Sequence, residues 1–307
     1  MTMPAGAAGL LTRPPRRSER VIEASLFLAA TVGVLTTVGI VIVLTFEALE
    51  FFRLVSPVAF FTGTVWSASI EPLQWGVIPL AVGTLMVALI GLVVAVPVGL
   101  LAAVYLAEYA SPRTRNLVKP MLETIAGIPT IVLGFFALNF VTPVLLKPLF
   151  GSGLGTFNAL AGGLVVGLLI TPLIASLSED ALRAVPRGLR EGAFAMGATR
   201  WEVVRKVVLP AALSGVMASI ILAMSRAMGE TMAVVLAVGT NPQLTFDPLE
   251  SVQTMTAFIV QISLGDTPQD SLQFKSLFAV AATLFALTFG LNVLGNRIVA
   301  RYRNAYS

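Results

Sequence analysis

The chain has 307 residues, of which 56% are hydrophobic and only 12% charged, a balance that leaves a water-soluble domain too little polar surface and points to lipid as the solvent. It contains no cysteine and no histidine, which removes disulfide frameworks, thiolate chemistry, imidazole metal ligands and histidine acid–base work together. The formal net charge is +4 and the pI near 9.8. The basic residues are spread over short loops without forming a stripe, so they read as a signal of membrane orientation and not of nucleic-acid binding.

In chain order, residues 1–20 form a Pro- and Arg-containing basic tail, expected to be disordered, with no small-residue cleavage site, so that the first apolar run reads as a retained anchor. A membrane-spanning helix needs about 20 mostly apolar residues. The chain offers six such segments, at about 24–46, 76–107, 124–146, 154–178, 211–240 and 276–296, and the expected fold is an all-α integral membrane domain over 21–303. The glycines Gly151, Gly153 and Gly155 lie between the third and fourth spans with no strand before them, so a hairpin is expected there and not a nucleotide loop.

Lys and Arg in short loops are retained on the cytoplasmic side. One set of loops and termini carries Arg13, Arg16, Arg17, Arg20, then Arg113, Arg115, Lys119, then Arg183, Arg187, Arg190, Arg200, Arg205, Lys206, and finally Arg297, Arg301, Arg303. The alternate loops hold Arg53, Lys147 and Lys275 against a majority of acids. Both termini are therefore expected in the cytoplasm, with the protein in the plasma membrane.

The loop 179–210 is the only cytoplasmic one long enough for its own structure. Ser178 followed by Glu179 and Asp180 reads as a helix start, Pro186 opens the next helix, and that helix stops at Gly197. A second helix restarts at Thr199, with Glu202 at capping-box spacing, and Pro210 closes the loop. Gly192, Ala193 and Ala195 remove bulk where a partner surface could approach, with Arg190 and Glu191 as the rim; a helical loop resting on the membrane is the plainer reading.

Within span five, Arg226 and Glu230 are four residues apart and so share a helical face. A lone mid-membrane arginine costs roughly 3 kcal/mol, so it needs a partner, a wet cavity or an anion to bind. A straight helix places it about 24 Å beyond Pro210, in the outer half of a core about 30 Å thick, where it could also snorkel outward or serve as a structural pair with Glu230. In the last outer loop, Met255, Phe258, Ile259 and Ile262 have the spacing of a short amphipathic helix at the outer surface, either a gate or a lid over apolar helix ends. Trp66 and Trp75 suit an interfacial belt.

The string Glu191-Gly192-Ala193-Phe194-Ala195-Met196-Gly197, followed after nine residues by Val207-Val208-Leu209-Pro210, resembles the EAA loop of ABC-importer permeases, with Gly192 and Val207 as small departures. The segment Ser225-Arg226-Ala227-Met228-Gly229-Glu230-Thr231-Met232-Ala233-Val234 resembles phosphate-importer permeases of the PstC type. So do Gly83-Thr84-Leu85, Pro97-Val98-Gly99, Tyr105 through Tyr109, and Glu123 through Thr130. The resemblance covers about Gln74 to Arg303 and implies a MetI-like permease fold of six spans, not an enzyme, with a cytoplasmic coupling helix docked on a separate ATPase. Arg190, Glu191, Gly192, Ala193, Gly197, Leu209 and Pro210 would form the coupling segment. Arg226 would meet phosphate in the path, with Glu230 keeping the empty site near neutral, and Thr231, Thr84 and Thr130 as weaker hydroxyl candidates that more often bond their own backbone. No cofactor is expected on the chain itself: it has no G-x-x-x-x-G-K-[ST] loop, and ATP and Mg would bind the partner. The implied partners are a PstA-like permease, two PstB-like ATPase subunits and an external PstS-like phosphate-binding protein. The rival readings are a permease for sulfate or molybdate and, from a different class, an ion-coupled secondary transporter carrying a proton on Glu230.

Overall fold

The computed structural model describes residues 17–68, 71–151 and 153–303. Most of the expected tail, residues 1–16, lies outside them. The first helix, α1 (Arg17–Leu54), already begins within the stretch assigned to the tail and is the first span. After it come a short helix, α2 (Pro57–Thr62), and a minimal antiparallel hairpin, β1 (Trp66–Ser67) and β2 (Gln74–Trp75), with Trp66 opposite Trp75. Span two is α3 (Ile78–Val104), prolonged by a π-helical turn, Tyr105–Tyr109.

The next helix is a correction to the expected third span. Residues 124–126 complete a separate polar helix, α4 (Pro112–Ala126), capped by the Ser111 hydroxyl accepting from Thr114 N–H and carrying no buried side chain. Pro129 lacks a backbone donor and disfavours helical geometry at Ile128, so the chain breaks there and the span starts afresh. It consists of α5 (Thr130–Phe136), a π-helical stretch Ala137–Leu146 holding Pro143, and α6 (Lys147–Phe150).

Span four, α7 (Ala159–Ala184), starts at the Asn158 cap, whose side chain accepts from Ala161 N–H. It runs straight through Ser178, Glu179 and Asp180, so these residues do not start a helix. The side chains explain why: Ser178 Oγ meets Ser219 Oγ at 2.8 Å, and Glu179, fully buried, receives Arg115 Nε at 2.7 Å and Lys119 Nζ at 2.8 Å, with Arg183 Nε at 3.7 Å. A buried acid held by several cations can sit inside a helix. Lys119 also reaches Asp180 at 2.6 Å, so these ion pairs fasten α4 to α7. Burial draws the Lys119 ammonium down, but its bonds to Asp180 and Glu179 more than offset this and hold it above its ordinary pKa.

The loop helices follow the expected punctuation. They are α8 (Arg187–Ala195), entered at Pro186, then Gly197 at φ +83°, then α9 (Arg200–Val203) with a complete Thr199–Glu202 capping box. A π-helical turn, Val204–Val208, leads into α10 (Leu209–Ala211). Here the chain bends by 70° into α11 (Leu213–Met228), so Pro210 belongs to a helix lying across the end of the bundle. The last elements are α12 (Met232–Val238), α13 (Met255–Leu264) and the final span, α14 (Leu272–Arg303). Among the described residues, five helical segments are long and apolar enough to span a membrane, or six when the bent pair is taken as one span.

The centre of the bundle is the α3–α7 contact, where glycines bring the backbones together. A Cβ on Gly167 would sit 2.9 Å from the Gly91 carbonyl oxygen, and one on Gly163 would sit 2.5 Å from Ile90 Cβ. In lipid such close van der Waals approach replaces hydrophobic drive as the source of helix association. By contrast, α1 packs against α14, is tied there by Lys275 Nζ to Glu50 Oε2 at 2.6 Å, and exposes most of its apolar side chains. Trp66 departs from the belt reading: it is buried edge-on against Phe258 of α13 (centroids 4.8 Å apart) and against the half-buried Trp75, forming an aromatic plug with Phe51 and Phe60. Since the Gly167 backbone contact has no flexible atom to give way, Gly167→Leu is expected to cost about 2 kcal/mol or more, lowering the thermal aggregation midpoint of the purified protein well below that of Gly167→Ala.

Candidate functional site: a charged cavity at a helix break

Span five does not continue unbroken to 240. α11 ends at Gly229 and α12 begins at Met232, so Glu230 is no longer on the helical face of Arg226. The freed backbone groups are satisfied individually, as a membrane interior requires. Thr231 Oγ1 donates to the Gly229 carbonyl at 3.1 Å, and Thr256 Oγ1 of α13 donates to the Glu230 carbonyl at 2.9 Å. The Glu230 carboxylate, 8% exposed, accepts from Ala233 N–H at 3.4 Å and so caps α12.

The break closes one end of a cavity of about 780 Å³. Its walls come from α7, from α11 with Ser225 and Arg226, from Gly229 and Glu230 at the break, and from the C-terminal end of α4 with Glu123. Arg226 is exposed in it and, among the described residues, makes no hydrogen bond or ion pair; no bridge to Glu230 forms. The bend at Ala212 shortens the path along the span, so Arg226 lies about 20 Å from its start. Ser225 Oγ donates to Asn292 Oδ1 at 2.7 Å, joining α11 to α14 beside the arginine.

The three threonines fare differently from the arginine. Thr84 is buried away from the cavity, donating to Leu80 O at 2.8 Å and accepting from Met255 N–H at 2.9 Å, so it seats the start of α13. Thr130 opens α5 and does not line the cavity. Thr231 serves the break. Thr84 and Thr231 act on backbone, the alternative that sequence already weighed for them.

A second functional surface is the elbow built on α8. No side chain of α8 is buried; Leu189, Phe194 and Met196 project outward, Glu191 is exposed, and a Cβ on Gly192 would meet nothing within 4 Å. Arg190 is not part of that rim. It turns inward, pairing with Glu108 (Nη2 at 3.0 Å, Nε at 3.1 Å) and donating to the carbonyls of Leu182 and Val185 at the end of α7. On the far side of the Gly197 elbow, Arg200 stacks 5.4 Å above the Tyr109 ring. The elbow is thus held on both sides to the end of α3. Ala193 and Leu209 pack partly against a buried cluster of Val203, Val208, Leu182 and Val216, and Pro210 lies behind them in α10. They support the outward face without forming it.

Sequence reasoning missed Glu123 and Glu179 as functional positions. The signal was present: Arg115, Lys119 and Glu123 recur every four residues, one face of a helix.

These features define a polytopic membrane protein with a charged cavity between its helices and an exposed helical elbow. Residues 95–304 match the family described as "Binding-protein-dependent transport system inner membrane component", and the chain belongs to that family: it is an ABC-transporter permease, a membrane subunit and not an enzyme. It is 33% identical over 262 residues to the "Probable ABC transporter permease protein YqgH" of Bacillus subtilis, covering 85% of this chain and 84% of that one. It is 35% identical over 248 residues to the "Phosphate transport system permease protein PstC 1" of Mycobacterium tuberculosis, covering 74% and 73%. Among solved structures, a bacterial alginate ABC transporter aligns with TM-score 0.64 at 14% identity over 94% of this chain and 96% of that one. The inward-facing MetNI methionine ABC transporter aligns with TM-score 0.56 at 23% identity over 76% and 99%. At these identities the two structures speak for the MetI-like fold, which is the one expected.

Removing Arg190 would strand the Glu108 carboxylate and two carbonyls. Arg190→Ala is therefore expected to destabilise the elbow by about 2 kcal/mol, and to weaken co-purification of the ATPase more than Arg187→Ala does.

Proposed function

We propose that the chain is the membrane subunit through which an ABC importer passes inorganic phosphate into the cytoplasm. The observation that carries this is Arg226: a guanidinium without a protein partner, inside a cavity between spans, where its planar fork of donors suits a tetrahedral oxyanion. The PstC relatives favour phosphate over sulfate or molybdate. Glu230, fixed at the closed end, keeps the empty cavity from being a deep anion trap, since transport needs release as well as capture.

In this reading α4, α8 and both termini face the cytoplasm, which the gathering of Arg113, Arg115, Lys119 and the loop arginines at one end of the bundle supports. Thr231 and Thr84 serve the backbone around the path, Thr130 lies outside the cavity lining, and none of the three touches the ion. The elbow from Arg190 to Gly197, with Leu209 and Pro210 behind it, receives the ATPase. The partners are a PstA-like permease, two PstB-like ATPases binding ATP and Mg, and an external PstS-like phosphate-binding protein.

In the assembled complex, Arg226→Ala is expected to reduce ATP-driven phosphate uptake by about tenfold or more, and Arg226→Lys to fall between it and the wild type, because the ammonium keeps the charge and loses the fork. Both should leave assembly intact. Wild-type uptake by Arg226→Ala would remove the arginine from the path.

A further inference from the structure

One charged residue of the cavity has no role in the reading above. Glu123 stands in the last turn of α4, on the face that carries Arg115 and Lys119. Those two are spent on Glu179 and Asp180 of α7. One turn further on, α7 offers no cation: the cavity opens opposite Ser176 and Leu177, and Glu123 borders it, exposed, with no hydrogen bond or ion pair among the described residues. The cavity thus contains one guanidinium without a partner and one carboxylate without a partner, in the same wetted space, together with the capped carboxylate of Glu230.

We propose that Glu123 is a release residue, which lowers the anion affinity of the cavity, a role that rests on the phosphate-path reading. A second carboxylate in the wetted space that holds Arg226 raises the energy of any anion there by charge repulsion. The repulsion acts on an anion entering as much as on one leaving, so the resting cavity stays empty even where anion is abundant. The ion pairs of Arg115 and Lys119 are what hold the carboxylate at the rim: they fix α4 on α7 one and two turns before it. Glu123 is thereby a positioning residue for release, distinct from the grip at Arg226.

The test uses the whole importer in nanodiscs without nucleotide, measuring retained [32P]phosphate, and proteoliposomes measuring inhibition of ATP-driven uptake by phosphate preloaded inside. Glu123→Asp should behave as the wild type. Glu123→Gln should retain about fivefold more phosphate, and Glu123→Lys more again. Inhibition by internal phosphate should set in at correspondingly lower concentration. A flat series in both measurements, with uptake intact, overturns the release role and leaves the phosphate reading standing. Absence of ATP-driven phosphate uptake by the wild-type importer overturns that reading instead. Because Glu123 makes no contact in the fold, assembly of all three variants is expected; should Glu123→Lys fail to assemble, the Asp and Gln pair alone decides.

Discussion

The break at Gly229–Thr231 is the constraint on which the site depends. A span that stops and restarts inside a membrane must find partners for its freed backbone groups, and this one finds them in two threonine hydroxyls and one carboxylate. Using Glu230 as the cap of α12 has a direct electrostatic consequence. A carboxylate that could have neutralised Arg226 across one helical turn is held elsewhere, and the guanidinium is left facing the cavity. The same break anchors α13 through Thr256, and α13 is seated in turn by Thr84 and by the Trp66–Phe258 contact. The closed end of the cavity is therefore tied by a hydrogen bond to α13.

At the other end, the exposed elbow is not loosely suspended. Arg190 and Arg200 grip Glu108 and Tyr109 from either side of Gly197, while the Arg190 guanidinium also takes the last carbonyls of α7. Displacement of α8 by a docked protein must therefore pull on α3 and α7 together, the two helices whose glycine-lined contact forms the centre of the bundle. Stiff packing of this kind passes displacement on without absorbing it. That gives the family's exposed loop a physical route to the cavity walls, since α7 forms one side of the cavity.

Much of this was legible in the residues. Apolar runs gave the spans, and the Pro186, Gly197 and Thr199–Glu202 signals gave the two loop helices nearly to the residue, because capping chemistry is local. What local chemistry could not show was anything settled by contacts distant in sequence. Glu179 reads as the start of a helix because acids that follow a serine suit a helix N-terminus; its main partners are on α4, more than fifty residues earlier. Arg226 and Glu230 looked like neighbours because helical spacing was assumed across Gly229, and only the hydroxyl of Thr256 reveals why the helix stops there. Trp66 looked interfacial because its partner Phe258 belongs to the opposite end of the chain. The Arg115, Lys119 and Glu123 spacing was readable, but its importance depends on where α7 places its acids.

The most direct test of the proposed function is phosphate uptake into proteoliposomes containing this chain with its PstA-like, PstB-like and PstS-like partners, comparing ATP inside the vesicles with a proton gradient alone. Uptake that requires ATP and collapses when Glu191 and Gly197 are changed is the expected result. Uptake driven by the gradient and indifferent to ATP would contradict it, and would return Glu230 to the role of a proton carrier.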